Sequence, residues 1–130
     1  MVAMLAGCAS PQVRTLLEHP PAALPPRAEL AAVPFFPQQD YQCGAAALAT
    51  ALTHAGAPVS PEALVPQVYL PAREGSLQAE MLATTRRQGL LAYPLAPRLQ
   101  DLLSEVAAGN PVIVLQNLSL AFAPLWHYAV

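Results

Sequence analysis

From residue 43 onward the chain alternates between the helical and the extended hydrophobic period. Ala45, Leu48, Ala49 and Leu52 recur at i, i+3, i+4 and i+7, one apolar face of a helix, and Gly56, Pro58 and Pro61 stop it. Residues 61–67 suggest a second, shorter helix. Ser76 is placed to cap a third, whose Leu77, Met81 and Leu82 should face inward and whose end carries Arg86, Arg87 and Gly89. Residues 90–95 read as a short strand. Leu99, Leu102, Leu103 and Val106 then repeat the helical period, with Gly109 and Pro111 as stop signals. Residues 112–115 form a continuous apolar run of strand length, 117–124 a loop, and 125–130 the start of another strand. Short helices interleaved with short strands predict an α+β fold.

Upstream the pattern changes. Seven of the fifteen prolines fall between Pro11 and Pro37, and proline fixes φ and disfavours helix at the residue before it. Residues 9–32 therefore read as a Pro/Ala-rich, mostly extended tether, with a short helical turn over 13–18 and either a first strand or an apolar latch over 33–36. Residues 33–130 are the expected folded domain. At the start, Leu5-Ala6-Gly7-Cys8 resembles the processing box of bacterial lipoproteins, in which the cysteine becomes lipidated. On that reading residues 1–8 are the remnant of a signal and Cys8 anchors the protein in the bacterial cell envelope, on the periplasmic side of the outer membrane. No basic segment precedes the box and its apolar stretch is short, so either the true start lies upstream of Met1 or the match is accidental.

Composition narrows the field. With 130 residues, 55% hydrophobic and 11% charged, the chain is long and apolar enough for one packed domain. The formal net charge is -2, lysine is absent, and Arg86-Arg87 is the one adjacent pair of cations. Nucleic acid is thus excluded as a partner, because phosphate neutralisation needs clustered cations. No apolar run reaches the roughly eighteen residues that would span a bilayer. The two cysteines, Cys8 and Cys43, form neither a disulfide framework nor a zinc spacing, although a single Cys8–Cys43 bridge fits the sequence. No cofactor motif is present, and Cys43, His54 and His127 lack metal-ligand spacing.

The chemistry concentrates at Gln38-Gln39-Asp40-Tyr41-Gln42-Cys43-Gly44. Cys43 stands in the first turn of a predicted helix, directly after a polar loop, where unpaired N–H groups and the helix dipole favour thiolate. The competing reading is an inert core thiol, since free cysteine is often buried. Gly44 would allow close approach to the sulfur. The oxyanion of an acyl transfer needs donors, and the Cys43 N–H and the Gln38 side chain, five residues earlier, are the candidates; Gln42 should point away. Of the three histidines, His19 lies in the tether. His54 lies at the far end of the same helix, roughly 15 Å along its axis, too far for proton transfer. His127, in Trp126-His127-Tyr128-Ala129-Val130 at the start of a strand, is the remaining candidate base. Trp126 and Tyr128, on the opposite face of that strand, should be core.

Gln-x₄-Cys-Gly-Ala-Ala-x-Leu followed by Trp-His-Tyr-Ala-Val resembles the bacteriocin-processing (double-glycine leader) peptidases and their papain-like relatives, most nearly the lipoprotein members with a tetratricopeptide-repeat tail. The resemblance runs from Val33 to Val130. It implies a papain-like cysteine peptidase fold, with the nucleophile helix packed on a small, mainly antiparallel sheet. It implies Cys43 as nucleophile, His127 as general base and acid, Gln38 as oxyanion donor, and a peptide or protein as substrate. Two positions depart from the family. Its glutamine usually stands six residues before the cysteine, where this chain has Pro37. Its third residue, an Asp or Asn that orients the histidine, lies on the strand after the histidine strand, so the domain is expected to be incomplete at Val130, with Asn117 the nearest upstream substitute. The alternative is a catalytically degenerate peptidase-like domain that binds peptides or partner proteins.

Overall fold

The computed structural model of the chain describes residues 10–38, 40 and 42–130. Among these the architecture is mixed α+β: five α-helices and two small antiparallel sheets of two strands each. No helix among the described residues is long and apolar enough to cross a membrane. The chain divides into two compact units, the first built from residues up to 29 with residues 95–110, the second from residues 30–94 with 111–130.

In the first unit, α1 (Pro11–Glu18) packs on α5 (Leu99–Ala107). The predicted tether thus contains a full helix, opened by Pro11, because proline's fixed φ and missing N–H suit the first helical position. The Gln12 side chain joins the two helices. Its Oε1 accepts from the Leu99 N–H at 2.6 Å, a first-turn donor of α5, and its Nε2 donates to the Pro97 carbonyl at 3.2 Å. This is a helix cap supplied from a distant part of the chain. No residue of either helix is fully buried, and Leu17 is 78% exposed.

The second unit is organised around α2 (Cys43–His54). The periodicity predicts one buried face, but Gly44 through Thr50 and Leu52 are all buried. The reason is enclosure: α3 (Pro61–Val68), α4 (Gln78–Arg87), β2 (Gly75–Ser76) and β4 (Trp126–Ala129) all pack against α2. Gly44 and the four buried alanines of the helix let these neighbours come close to the backbone. Gly56, at φ 88°, ends the segment in the left-handed conformation that glycine adopts without strain. The core joins Leu48 and Leu52 of α2 with Leu64 and Val68 of α3, Met81 of α4 and Tyr128 of β4. Ser60 caps α3 by accepting from the Ala63 N–H at 3.3 Å, with Pro61 at the first helical position.

Strand assignments from the sequence fare less well. Ser76 does not cap α4: it lies in β2, which pairs with β1 (Tyr69–Leu70) around a 3₁₀ turn over Pro71–Arg73. The residue before α4 is Leu77, which is partly exposed, and the buried face of the helix is Met81, Thr84 and Thr85. Residues 90–95 and 33–36 are irregular, because no other strand pairs with them. Of the latter, Phe36 packs on the core as the latch alternative had it. The second sheet pairs β3 (Val114–Asn117) with β4, Gln116 opposite His127 and Leu115 opposite Tyr128. The ladder thus begins two residues later than the apolar run suggests.

Candidate functional site around Cys43

Cys43 is the first residue of α2, a free thiol, half-buried at the edge of the core. The first bond of the helix runs from the Ala46 N–H to the Gln42 carbonyl at 3.1 Å. The N–H groups of Cys43, Gly44 and Ala45 therefore lie outside the helical ladder, and the side chain of Gln42, at the N-cap, does not cap them. A side chain in such a turn sits at the positive end of the helix dipole.

Two elements close over this turn. A Cβ added to Gly44 would collide with Oγ and Cβ of Ser76 and would lie 3.5 Å from Cδ2 of Tyr128. The glycine after the cysteine thus admits the β1–β2 hairpin and the aromatic ring of β4. Among the described residues the buried Ser76 hydroxyl oxygen has no hydrogen-bond partner.

The strand pleat sends successive side chains to opposite faces. Tyr128 takes the face on α2 and is 7% exposed, while His127 takes the alternate side and is half-buried. Trp126 shares a face with Tyr128 but lies at the strand end and is 59% exposed, so of the two predicted core aromatics only Tyr128 enters the core. Burial raises the Tyr128 phenol above its ordinary value of 10.0, and the negative charge of the Cys43 thiolate adds to the shift. Because the folded-state value is the higher one, the associated stability is full below about pH 10 and is lost as pH rises through the folded value. Tyr128→Phe should flatten the loss of thermal stability expected as pH rises above about 10. An unchanged alkaline profile in that variant would place the titrating group elsewhere.

The other candidates are dispersed. Gln38 is exposed on the loop before α2, as is Asp40. Gln39, Tyr41 and Cys8 lie outside the described residues. His54 is the last residue of α2, at the opposite end from the thiol. Asn117 is engaged in the β3–β4 loop: its Oδ1 accepts from the N–H groups of Ser119 at 3.0 Å and Leu125 at 2.8 Å, and its Nδ2 donates to the Leu120 carbonyl at 3.5 Å. It shapes the hairpin and does not orient His127. Among the described residues no three His, Cys, Asp or Glu side chains group as metal ligands.

Sequence reasoning missed two members of this environment. Tyr128 was visible beside His127 but read only as core. Ser76 reads as a helix cap in the sequence, since its contact with Gly44 depends on a hairpin that folds back onto α2. No family model matches the chain, and neither a curated protein nor a solved structure matches it.

Proposed function

We propose that the protein is a cysteine peptidase of papain-like type, in which Cys43 attacks a peptide carbonyl to form a thioester acyl-enzyme that water then hydrolyses. The observation that carries this reading is the placement of a free, half-buried thiol as the first residue of an uncapped helix that is otherwise enclosed in the core. His127, next to Tyr128 on the strand packed against α2, is the proposed base, and the Cys43 N–H with the Gln38 amide are the proposed oxyanion donors. The test is the pH dependence of Cys43 alkylation by iodoacetamide on a Cys8→Ser background, with and without His127→Ala. A thiolate–imidazolium pair should turn the profile near neutral pH or below, and loss of His127 should move it toward the ordinary thiol value of about 8.5.

A second reading, a peptidase-like domain that binds peptides or partner proteins without cleaving them, is favoured by two details. Asn117 is committed to its own loop, and β4 turns Tyr128 rather than His127 onto the Cys43 turn. A wild-type profile that turns near 8.5 and ignores His127 would select it.

A further inference from the structure

From Pro111 to Val130 the chain carries no Asp, Glu, Lys or Arg. Within that stretch Leu118, Leu120, Phe122, Leu125 and Trp126 crowd into the β3–β4 loop and its border, all of them exposed, with Phe122 at 85%. Single exposed apolar side chains are ordinary, but a contiguous group of them marks a surface that something covers. The polar groups of the loop are turned on one another. The Leu118 N–H donates to the Leu125 carbonyl at 2.8 Å, and the Ala123 N–H to the Leu120 carbonyl at 3.0 Å. Asn117 Oδ1 takes the Ser119 and Leu125 N–H groups, and Pro124 has no N–H to satisfy. A loop in water can leave such groups to solvent, whereas a loop entering lipid must pair them internally. Among the described residues, the N–H groups from Leu120 to Phe122 are left over at the tip, within reach of headgroup oxygens at an interface.

We propose that the β3–β4 loop docks on a lipid surface, with Leu118, Leu120, Phe122, Leu125 and Trp126 entering the boundary between headgroups and acyl chains. Trp126 suits that depth because its ring is apolar and its indole N–H polar. The absence of charge favours a bilayer over a protein partner. Protein interfaces surround their apolar centre with a polar rim whose charges set partner and register, and this loop has none to offer. Anionic lipid should add nothing for the same reason, and the net charge of -2 opposes it, so apolar burial alone drives the contact. The inference is independent of the chemistry of Cys43 and of acylation at Cys8.

Trp126 is the single tryptophan of the chain, so its fluorescence reports on this loop. The experiment titrates the full chain, on a Cys8→Ser background, with phosphatidylcholine vesicles at neutral pH, and in parallel with vesicles that also contain phosphatidylglycerol. Trp126 emission should shift to the blue, lose access to a water-borne quencher and be quenched by bromine on the acyl chains, no more strongly on the anionic vesicles. Phe122→Ser should weaken the partition about tenfold, the effect of removing one large apolar side chain from the contact. Its unfolding temperature should hold, because the ring is exposed. Leu17→Ser, at a comparably exposed apolar position on α1, should leave the partition unchanged. Emission that ignores both kinds of vesicle would overturn the proposal, as would a partition that Phe122→Ser leaves intact or that Leu17→Ser weakens as much. A blue shift that grows with protein concentration in the absence of lipid, together with a dimer in sedimentation, would assign the loop to a second copy and overturn it too.

Discussion

On the proposed peptidase reading, Cys43→Ala is expected to abolish peptide hydrolysis while leaving the unfolding temperature nearly unchanged. The two halves have separate physical origins. Removing a covalent nucleophile removes the acyl-enzyme route itself, and losses of roughly 10⁴-fold or more are the rule for such groups. Stability responds to what the side chain buries, and Cys43 is only half-buried at the margin of the core, with one sulfur to lose. That burial is worth about 1 kcal/mol, and alanine returns part of it as the best helix former. The assay is hydrolysis of a peptide library by parent and variant, with thermal unfolding alongside. Hydrolysis that survives in the variant would sink the assignment of Cys43. A large drop in unfolding temperature would instead make Cys43 a core residue.

Leu64→Ala should have the opposite profile: a loss of about 2–5 kcal/mol in stability. Leu64 is 0% exposed and lies where α3 meets α2, in one cluster with Leu48, Leu52 and Val68. The alanine-rich surface of α2 has few atoms with which to collapse into the vacated space, so the cavity should persist and the cost should fall in the upper part of that range. Stability of small domains totals about 5–15 kcal/mol, so the variant should unfold at a much lower urea concentration. Its Cys43 alkylation profile should stay that of the parent while it is folded. A loss below about 1 kcal/mol would mean that α3 is not seated on α2 as described.

Helices were legible in the sequence because their signals are local. The period of Ala45, Leu48, Ala49 and Leu52, the stop at Gly56, the proline opening α3 and the period from Leu99 to Val106 are each confined to a dozen residues, and the structure has a helix at each. The two strands on either side of the loop after Asn117, the second carrying His127, were legible for the same reason, apart from the start of the first. The failures share a cause. Residues 90–95 have strand composition but no paired neighbour, and a strand exists only by pairing. Ser76 has the residue type of a helix cap, yet the β1–β2 turn lies immediately before it and pairing with Tyr69 claims its backbone.

What the sequence by itself determined is the α+β class, the position of Cys43 at a helix start and the presence of His127 on a short strand, since each follows from nearest-neighbour patterns along the chain. The tertiary structure alone decided which side chains meet Cys43. It buried most of α2, brought Ser76 onto Gly44, turned Tyr128 inward and left Trp126 in solvent, and capped α5 with Gln12. Those contacts join residues far apart in sequence, and only close packing, in which each neighbour fixes the space left for the next, selects among them.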